Sequence, residues 1–231
     1  MRIIIFLFIC SLLSGQFLLD MAETSGTDYT YPNYWNSFGA GVTIVDINND
    51  GYDDIISPTY TGERIKLYMN QGDLNFIEMS EAYGLDDEQQ SKQVLVADYN
   101  NDGYDDILII NYYDDIVLYK NISNDHFVDV TVAAGIDYPS LSWRAGSWFD
   151  YDKDGFLDLF LVTYAFQHAN YLLHNEGNGT FSDVTNTAGV SGNNAKNALV
   201  VSTLDYDNDG WTDIYVGNDR NQGNYLYRNM Q

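Results

Sequence analysis

The chain has 231 residues, with 34 Asp and Glu against 10 Lys and Arg, for a formal charge of −24. So acidic a composition, with no basic cluster, excludes nucleic acid as a partner, because neutralising phosphates takes grouped Lys and Arg. The length suits one large all-β domain or part of a bigger one, and the single cysteine, Cys10, excludes a disulfide framework.

Met1-Arg2, the apolar run Ile3 to Leu13 and the small residues Ser14-Gly15 have the three parts of a secretory signal peptide, assigned to residues 1–15. The run is too short to cross a bilayer, so no membrane span is expected. The expected location is extracellular, or the periplasm or cell surface if the host is a bacterium. Leu13-Ser14-Gly15-Gln16 resembles a lipoprotein box, but Gln16 stands where the lipid-bearing cysteine would be. Residues 16–37 form a lead-in that contains nothing like the Phe-x-Asp-Val-Thr segment of the later repeats.

Beyond it one pattern recurs four times. Asp46-Ile-Asn48-Asn-Asp50-Gly-Tyr52-Asp-Asp54 is followed by Asp98-Tyr-Asn100-Asn-Asp102-Gly-Tyr104-Asp-Asp106, then Asp150-Tyr-Asp152-Lys-Asp154-Gly-Phe156-Leu-Asp158, then Asp205-Tyr-Asp207-Asn-Asp209-Gly-Trp211-Thr-Asp213. Oxygen donors at positions 1, 3, 5 and 9, a glycine at the turn and the carbonyl of position 7 make the cage that a hard cation such as Ca²⁺ prefers. About four Ca²⁺ sites are expected. Their ligands are the side chains at positions 1, 3, 5 and 9 and the carbonyls of Tyr52, Tyr104, Phe156 and Trp211. Asp53 and Asp105, at position 8, lack acidic counterparts in the other two loops and are expected to be solvated neighbours. A bare turn would also favour Asp and Asn, but not the same spacing in four copies.

These loops are not EF-hands. Position 12, where an EF-hand needs a bidentate glutamate, holds Ser57, Ile109, Leu161 and Val216. Short β-branched runs flank each loop, Val42–Val45 before and Ile55–Ser57 after the first, so each loop is expected to join two strands of a hairpin. A third segment then reads Leu67-Tyr-Met-Asn70, Leu118-Tyr-Lys-Asn121, Leu172-Leu-His-Asn175 and Leu226-Tyr-Arg-Asn229. The fourth reads Phe76-Ile-Glu-Met-Ser80, Phe127-Val-Asp-Val-Thr131 and Phe181-Ser-Asp-Val-Thr185, each followed by a turn at Gly84, Gly135 or Gly189.

Loop starts at 46, 98, 150 and 205 set intervals of 52, 52 and 55 residues, the length of a four-stranded propeller blade. The units run approximately 38–89, 90–141, 142–193 and 194–231, the last without its fourth segment. Over residues 38–231 the chain resembles the FG-GAP/VCBS repeat superfamily, closest to the ASPIC/UnbV and cartilage acidic protein group. The resemblance implies a calcium-loop β-propeller with about 3.75 blades present. A partial, open propeller is expected, with a four-bladed ring as the alternative.

No catalytic constellation stands out. His126, His168 and His174 are scattered and read as surface or strand residues, and the G-x-S-x-G and H-E-x-x-H motifs are missing. Tyr60, Tyr112, Tyr113, Tyr164 and Phe166 follow the second strands, where they could line a ligand surface or simply pack blades. The expected function is therefore extracellular protein or polysaccharide recognition by a non-enzymatic module with structural calcium. The alternative is the propeller part of a secreted polysaccharide lyase or hydrolase.

Overall fold

The computed structural model describes residues 20–29, 41–73, 75–112, 114–139, 141–164, 169–192, 197–220 and 222–230. The expected leader, Phe38 to Ala40, Tyr113, Phe166 and His168 lie outside the described residues.

Among the described residues, fifteen strands form four antiparallel sheets in plain up-and-down order. The first holds β1 (Thr43–Val45), β2 (Asp54–Ser57), β3 (Lys66–Asn70) and β4 (Phe76–Glu78). The second holds β5 (Ser91–Ala97), β6 (Asp106–Asn111), β7 (Val117–Asn121) and β8 (Phe127–Asp129). The third holds β9 (Trp143–Phe149), β10 (Asp158–Thr163), β11 (Tyr171–Asn175) and β12 (Phe181–Asp183). The fourth has three, β13 (Ala198–Leu204), β14 (Asp213–Asn218) and β15 (Tyr225–Tyr227). The all-β class and the blade-like units are as the repeat register predicts, and every acidic loop joins the first and second strands of its sheet.

The first strands pack in succession, β1 on β5, β5 on β9 and β9 on β13, which places them innermost and stacks the sheets as propeller blades. Each join has its own apolar core. Ile56, Leu67 and Met69 of the first sheet meet Ile107, Ile109 and Tyr119 of the second. Leu108 and Leu118 meet Trp143, Leu159 and Leu161 in the next join, and Phe160 and Leu172 meet Ile214 and Val216 in the last. A strand between two neighbours buries both faces, so β6 and β10 are buried along their whole length. Hence their sequences are continuous apolar runs, whereas a half-exposed strand would alternate. Fully burying such side chains contributes roughly 1.5–3 kcal/mol each.

Each fourth segment ends in one helical turn closed by a left-handed glycine. N–H groups of Tyr83, Ala134 and Ala188 reach back to the carbonyls of Met79, Val130 and Val184, and those of Leu85, Ile136 and Val190 to Ser80, Thr131 and Thr185. The same turn occurs before the first sheet. Helix α1 (Ala22–Ser25) precedes Gly26 at φ 84°, with Ser25 N–H to the Met21 carbonyl and Thr27 N–H to that of Ala22. Helix α2 (Thr185–Ala188) and Gly189 form its counterpart in the third unit. The sequence of residues 16–37 holds nothing like Phe-x-Asp-Val-Thr, yet the described part of that segment repeats the turn that follows it in the other units. Only Asp20, Met21 and Gly26 keep the pattern in sequence, but Asp20 accepts the Ala22 N–H at 3.1 Å just as Asp183 accepts that of Thr185 at 2.9 Å.

Candidate metal centres

Each loop is built by its own carboxylates. Position 4 adopts the left-handed conformation in all four, at Asn49, Asn101, Lys153 and Asn208, and so does the glycine at position 6. Asparagine tolerates that region through local hydrogen bonding, which explains its use at three of these sites. The position 1 carboxylate accepts the glycine N–H: Asp46 from Gly51 at 2.8 Å, Asp98 from Gly103 at 2.8 Å, Asp150 from Gly155 at 3.1 Å and Asp205 from Gly210 at 2.8 Å. Position 5 accepts the N–H of position 7, so Asp50, Asp102, Asp154 and Asp209 hold Tyr52, Tyr104, Phe156 and Trp211 at the bend. At position 3, Asn48, Asp152 and Asp207 accept the N–H of position 5, while Asn100 donates to Asp106 at 2.7 Å.

Position 9 has a second task. Asp54, Asp106, Asp158 and Asp213 are buried, and one oxygen of each accepts the N–H of the third-strand asparagine, Asn70, Asn121, Asn175 or Asn229, at 2.7–2.8 Å. In the first, third and fourth loops the other oxygen accepts the N–H of position 2, from Ile47, Tyr151 and Tyr206. Burial pushes Asp54 up to about 6, Asp106 to about 7 and Asp158 to about 6, against the backbone hydrogen bonds and with help from neighbouring carboxylates. A buried carboxylate among like charges calls for a cation.

Ligand atoms of Asp150, Asp152 and Asp158 lie within 4.8 Å of one another, and so do those of Asp205, Asp207 and Asp213. Asp150 Oδ1 is buried with no hydrogen-bond donor, an oxygen free to bind a metal. The donor set is all oxygen, which fits Ca²⁺ or another hard cation. Of the position 8 residues, Asp53 is exposed as expected, whereas Asp105 is half-buried and pushed upward by burial and the Asp98 charge.

One set of residues escaped the sequence reading. In the second, third and fourth sheets the third residue of the third-strand motif points at the loop: Lys120 Nζ lies 2.9 Å from Asp102, and Arg228 reaches Asp207 at 2.6 Å and Asp209 at 3.0 Å. His174 Nδ1 lies 3.1 Å from Asp158 and 3.5 Å from Asp152, so it belongs to its loop and is no ordinary strand residue. The first loop has Met69 at this position. Three basic residues in register were the available signal.

On the second-strand side, Tyr112 and Tyr164 enclose the Arg144 guanidinium at 4.1 and 4.6 Å, and Tyr60 stacks on Tyr29. For these three aromatics packing is what the geometry provides. No helix among the described residues is long and apolar enough to cross a membrane.

A profile of FG-GAP-like repeats matches residues 46–109, 98–161 and 150–216. Human integrin alpha-6 is 31% identical over 138 residues, covering 54% of this chain and 12% of the integrin. Human cartilage acidic protein 1 is 26% identical over 216 residues, covering 77% of this chain and 30% of that protein. The chain thus spans less than a third of the length of either relative. Among solved structures, an Agrocybe aegerita lectin described as recognising non-reducing terminal N-acetylglucosamine aligns at TM-score 0.46 and 19% identity, over 82% of this chain and 49% of that one.

Proposed function

Because the chain belongs to the FG-GAP-like repeat family, we propose that it is a secreted, calcium-stabilised propeller module that recognises an extracellular protein or a glycan. The observation that supports calcium is the buried position 9 aspartate, raised well above the ordinary carboxylate range among neighbouring carboxylates in the first three loops. Two positive charges in each cage would remove that penalty and hold the loop closed on its three strands. The calcium is structural in this reading: protein oxygens fill the cage, and the recognition surface lies on the loops that vary between repeats. Integrin alpha-6 among the relatives favours adhesion as the setting.

Calorimetric titration with Ca²⁺ should show about four sites, two of which are lost on D50A and D102A. No heat of binding, or an unchanged titration of that double variant, would defeat the calcium assignment. A glycan and extracellular-protein array probed with and without Ca²⁺ tests recognition separately, since a well-folded calcium-loaded module that retains nothing would leave the scaffold without the proposed role.

A further inference from the structure

The residue just before the third-strand asparagine is Met69, Lys120, His174 and Arg228 in the four sheets. Arg228 lies across positions 3 and 5 of its loop, 2.6 Å from Asp207 and 3.0 Å from Asp209, and Lys120 lies 2.9 Å from Asp102 at position 5. An ammonium and a guanidinium carry donors only, so both act as counter-ions and neither ligates a metal. Met69 offers a thioether, a soft donor that a hard cation passes over. Imidazole alone among the four is a nitrogen ligand for a metal.

The spacing around His174 is that of a ligand set. Its Nδ1 lies 3.1 Å from Asp158 Oδ1 and 3.5 Å from Asp152 Oδ2. Two ligand atoms each about 2.1 Å from one small ion stand about 3.0 Å apart at a right angle and about 3.4 Å apart at the tetrahedral angle. Ligand atoms of Asp152, Asp154 and His174 lie within 4.8 Å of one another, and those of Asp150, Asp152 and Asp158 meet the same limit. The two groupings share Asp152, and the contact of His174 with Asp158 joins them. Among the described residues, the third loop is the one acidic loop where a nitrogen joins the carboxylates in this way. Asp150 Oδ1 adds a buried oxygen that accepts no hydrogen bond.

These donors are held from outside the loop. Asp158, wholly buried at the start of β10, is fixed by the N–H groups of Asn175 and Tyr151. His174 lies on β11, paired with Ser182 of β12, and Tyr151 packs edge-on against its ring at 5.8 Å. A site on strands keeps its geometry better than a site on a free loop. A nitrogen also changes which ion is preferred. Ca²⁺ takes oxygen at about 2.3–2.6 Å, whereas imidazole with carboxylates suits first-row transition metals and their shorter bonds of about 2.0–2.2 Å. Resting on the reading of the loops as metal sites, we propose that His174 Nδ1, together with Asp152, Asp154 and Asp158, makes the third loop a site for a divalent transition metal such as Zn²⁺ or Co²⁺. The other three loops retain hard-cation chemistry.

The test titrates Co²⁺ into the full chain, carrying Cys10→Ser, in saturating Ca²⁺, and reads visible d–d absorption together with the Ca²⁺ retained after equilibrium dialysis. One Co²⁺ should bind per chain and displace one Ca²⁺. His174→Gln should weaken Co²⁺ binding about tenfold or more, since even changes to groups that merely orient a ligand cost that much, while Ca²⁺ capacity is unchanged. Arg228→His, which gives the fourth loop the donors of the third, should create a second Co²⁺ site. Co²⁺ that fails to bind, that binds His174→Gln as tightly, or that finds no second site in Arg228→His overturns the assignment of His174 and leaves the calcium sites in place. If neither ion binds, the metal reading of the loops falls as well.

Discussion

The first and fourth loops share one backbone and differ in what faces their carboxylates. Around the first stand Asp46, Asn48, Asp50 and Asp54 with Met69 as the third-strand neighbour, so its third strand offers no cation to the loop. Around the fourth stand four aspartates, with Arg228 bonded to Asp207 and Asp209. The difference separates two jobs that one motif performs. The hydrogen-bond scaffold is common to both and shapes the loop; the charge balance is local and sets how much each loop depends on an ion.

The largest test of this contrast is removal of metal. Four occupied sites at ten to a hundred times their Kd contribute roughly 1–3 kcal/mol each. Excess EDTA is therefore expected to lower the Tm by about 10 °C or more, and hydrogen exchange should show the first loop losing protection before the fourth. An equal or reversed order would break the link between built-in cations and metal dependence.

Next comes the shared scaffold. Asp54→Ala and Asp213→Ala each strand two backbone N–H groups and should cost about 2–4 kcal/mol in urea unfolding of the metal-free protein, and more with calcium, where a ligand is lost as well. Unequal costs would mean that the two loops do not share the scaffold after all.

The pH dependence follows from Asp54, whose carboxyl sits at about 6 in the folded, metal-free protein against an ordinary 3.8. The unfolded chain releases this proton first, so metal-free stability is greatest near pH 4 and falls as pH rises through 6; Asp158, also at about 6, deepens the decline, and Asp106, at about 7, extends it. Saturating Ca²⁺ should abolish the decline. Melting curves from pH 4 to 8 with and without metal measure it.

The smallest effect is the exchange of the neighbours themselves. Arg228→Met should tighten binding at the fourth loop, and Lys120→Met at the second, each by about three- to tenfold, the order expected of one screened charge a few ångströms away. Terbium luminescence in chains with the other three loops disabled would read each site alone.

Much of this architecture was legible in the sequence, because a 52-residue register repeats both the loop and the runs that flank it, and buried second strands leave continuous apolar stretches such as Ile107-Leu108-Ile109-Ile110. The N-terminal turn was illegible for a physical reason. Backbone hydrogen bonds define it, so Ala22 replaces the Ser or Thr of its counterparts and only the left-handed Gly26 is obligatory. The basic residues at 120, 174 and 228 were visible in alignment, yet nothing in one dimension says that a third-strand side chain lies over the loop between the first two. The exposed face at Tyr215 looks in sequence like any buried strand, since exposure depends on what stands next to the sheet.

The third-strand asparagine draws these threads into an order of assembly. Asn175 donates to the carbonyl of Leu157 in its own loop and to that of Tyr99 in the loop before it, and Asn229 does the same to Thr212 and Tyr151. Each stitch points backwards along the chain. When a later blade emerges from the ribosome, the carbonyl it must clasp has already been made, and the finished blade behind it can serve as a template. The array can therefore grow in the direction of synthesis, one unit at a time, with little chance for a blade to close on the wrong neighbour.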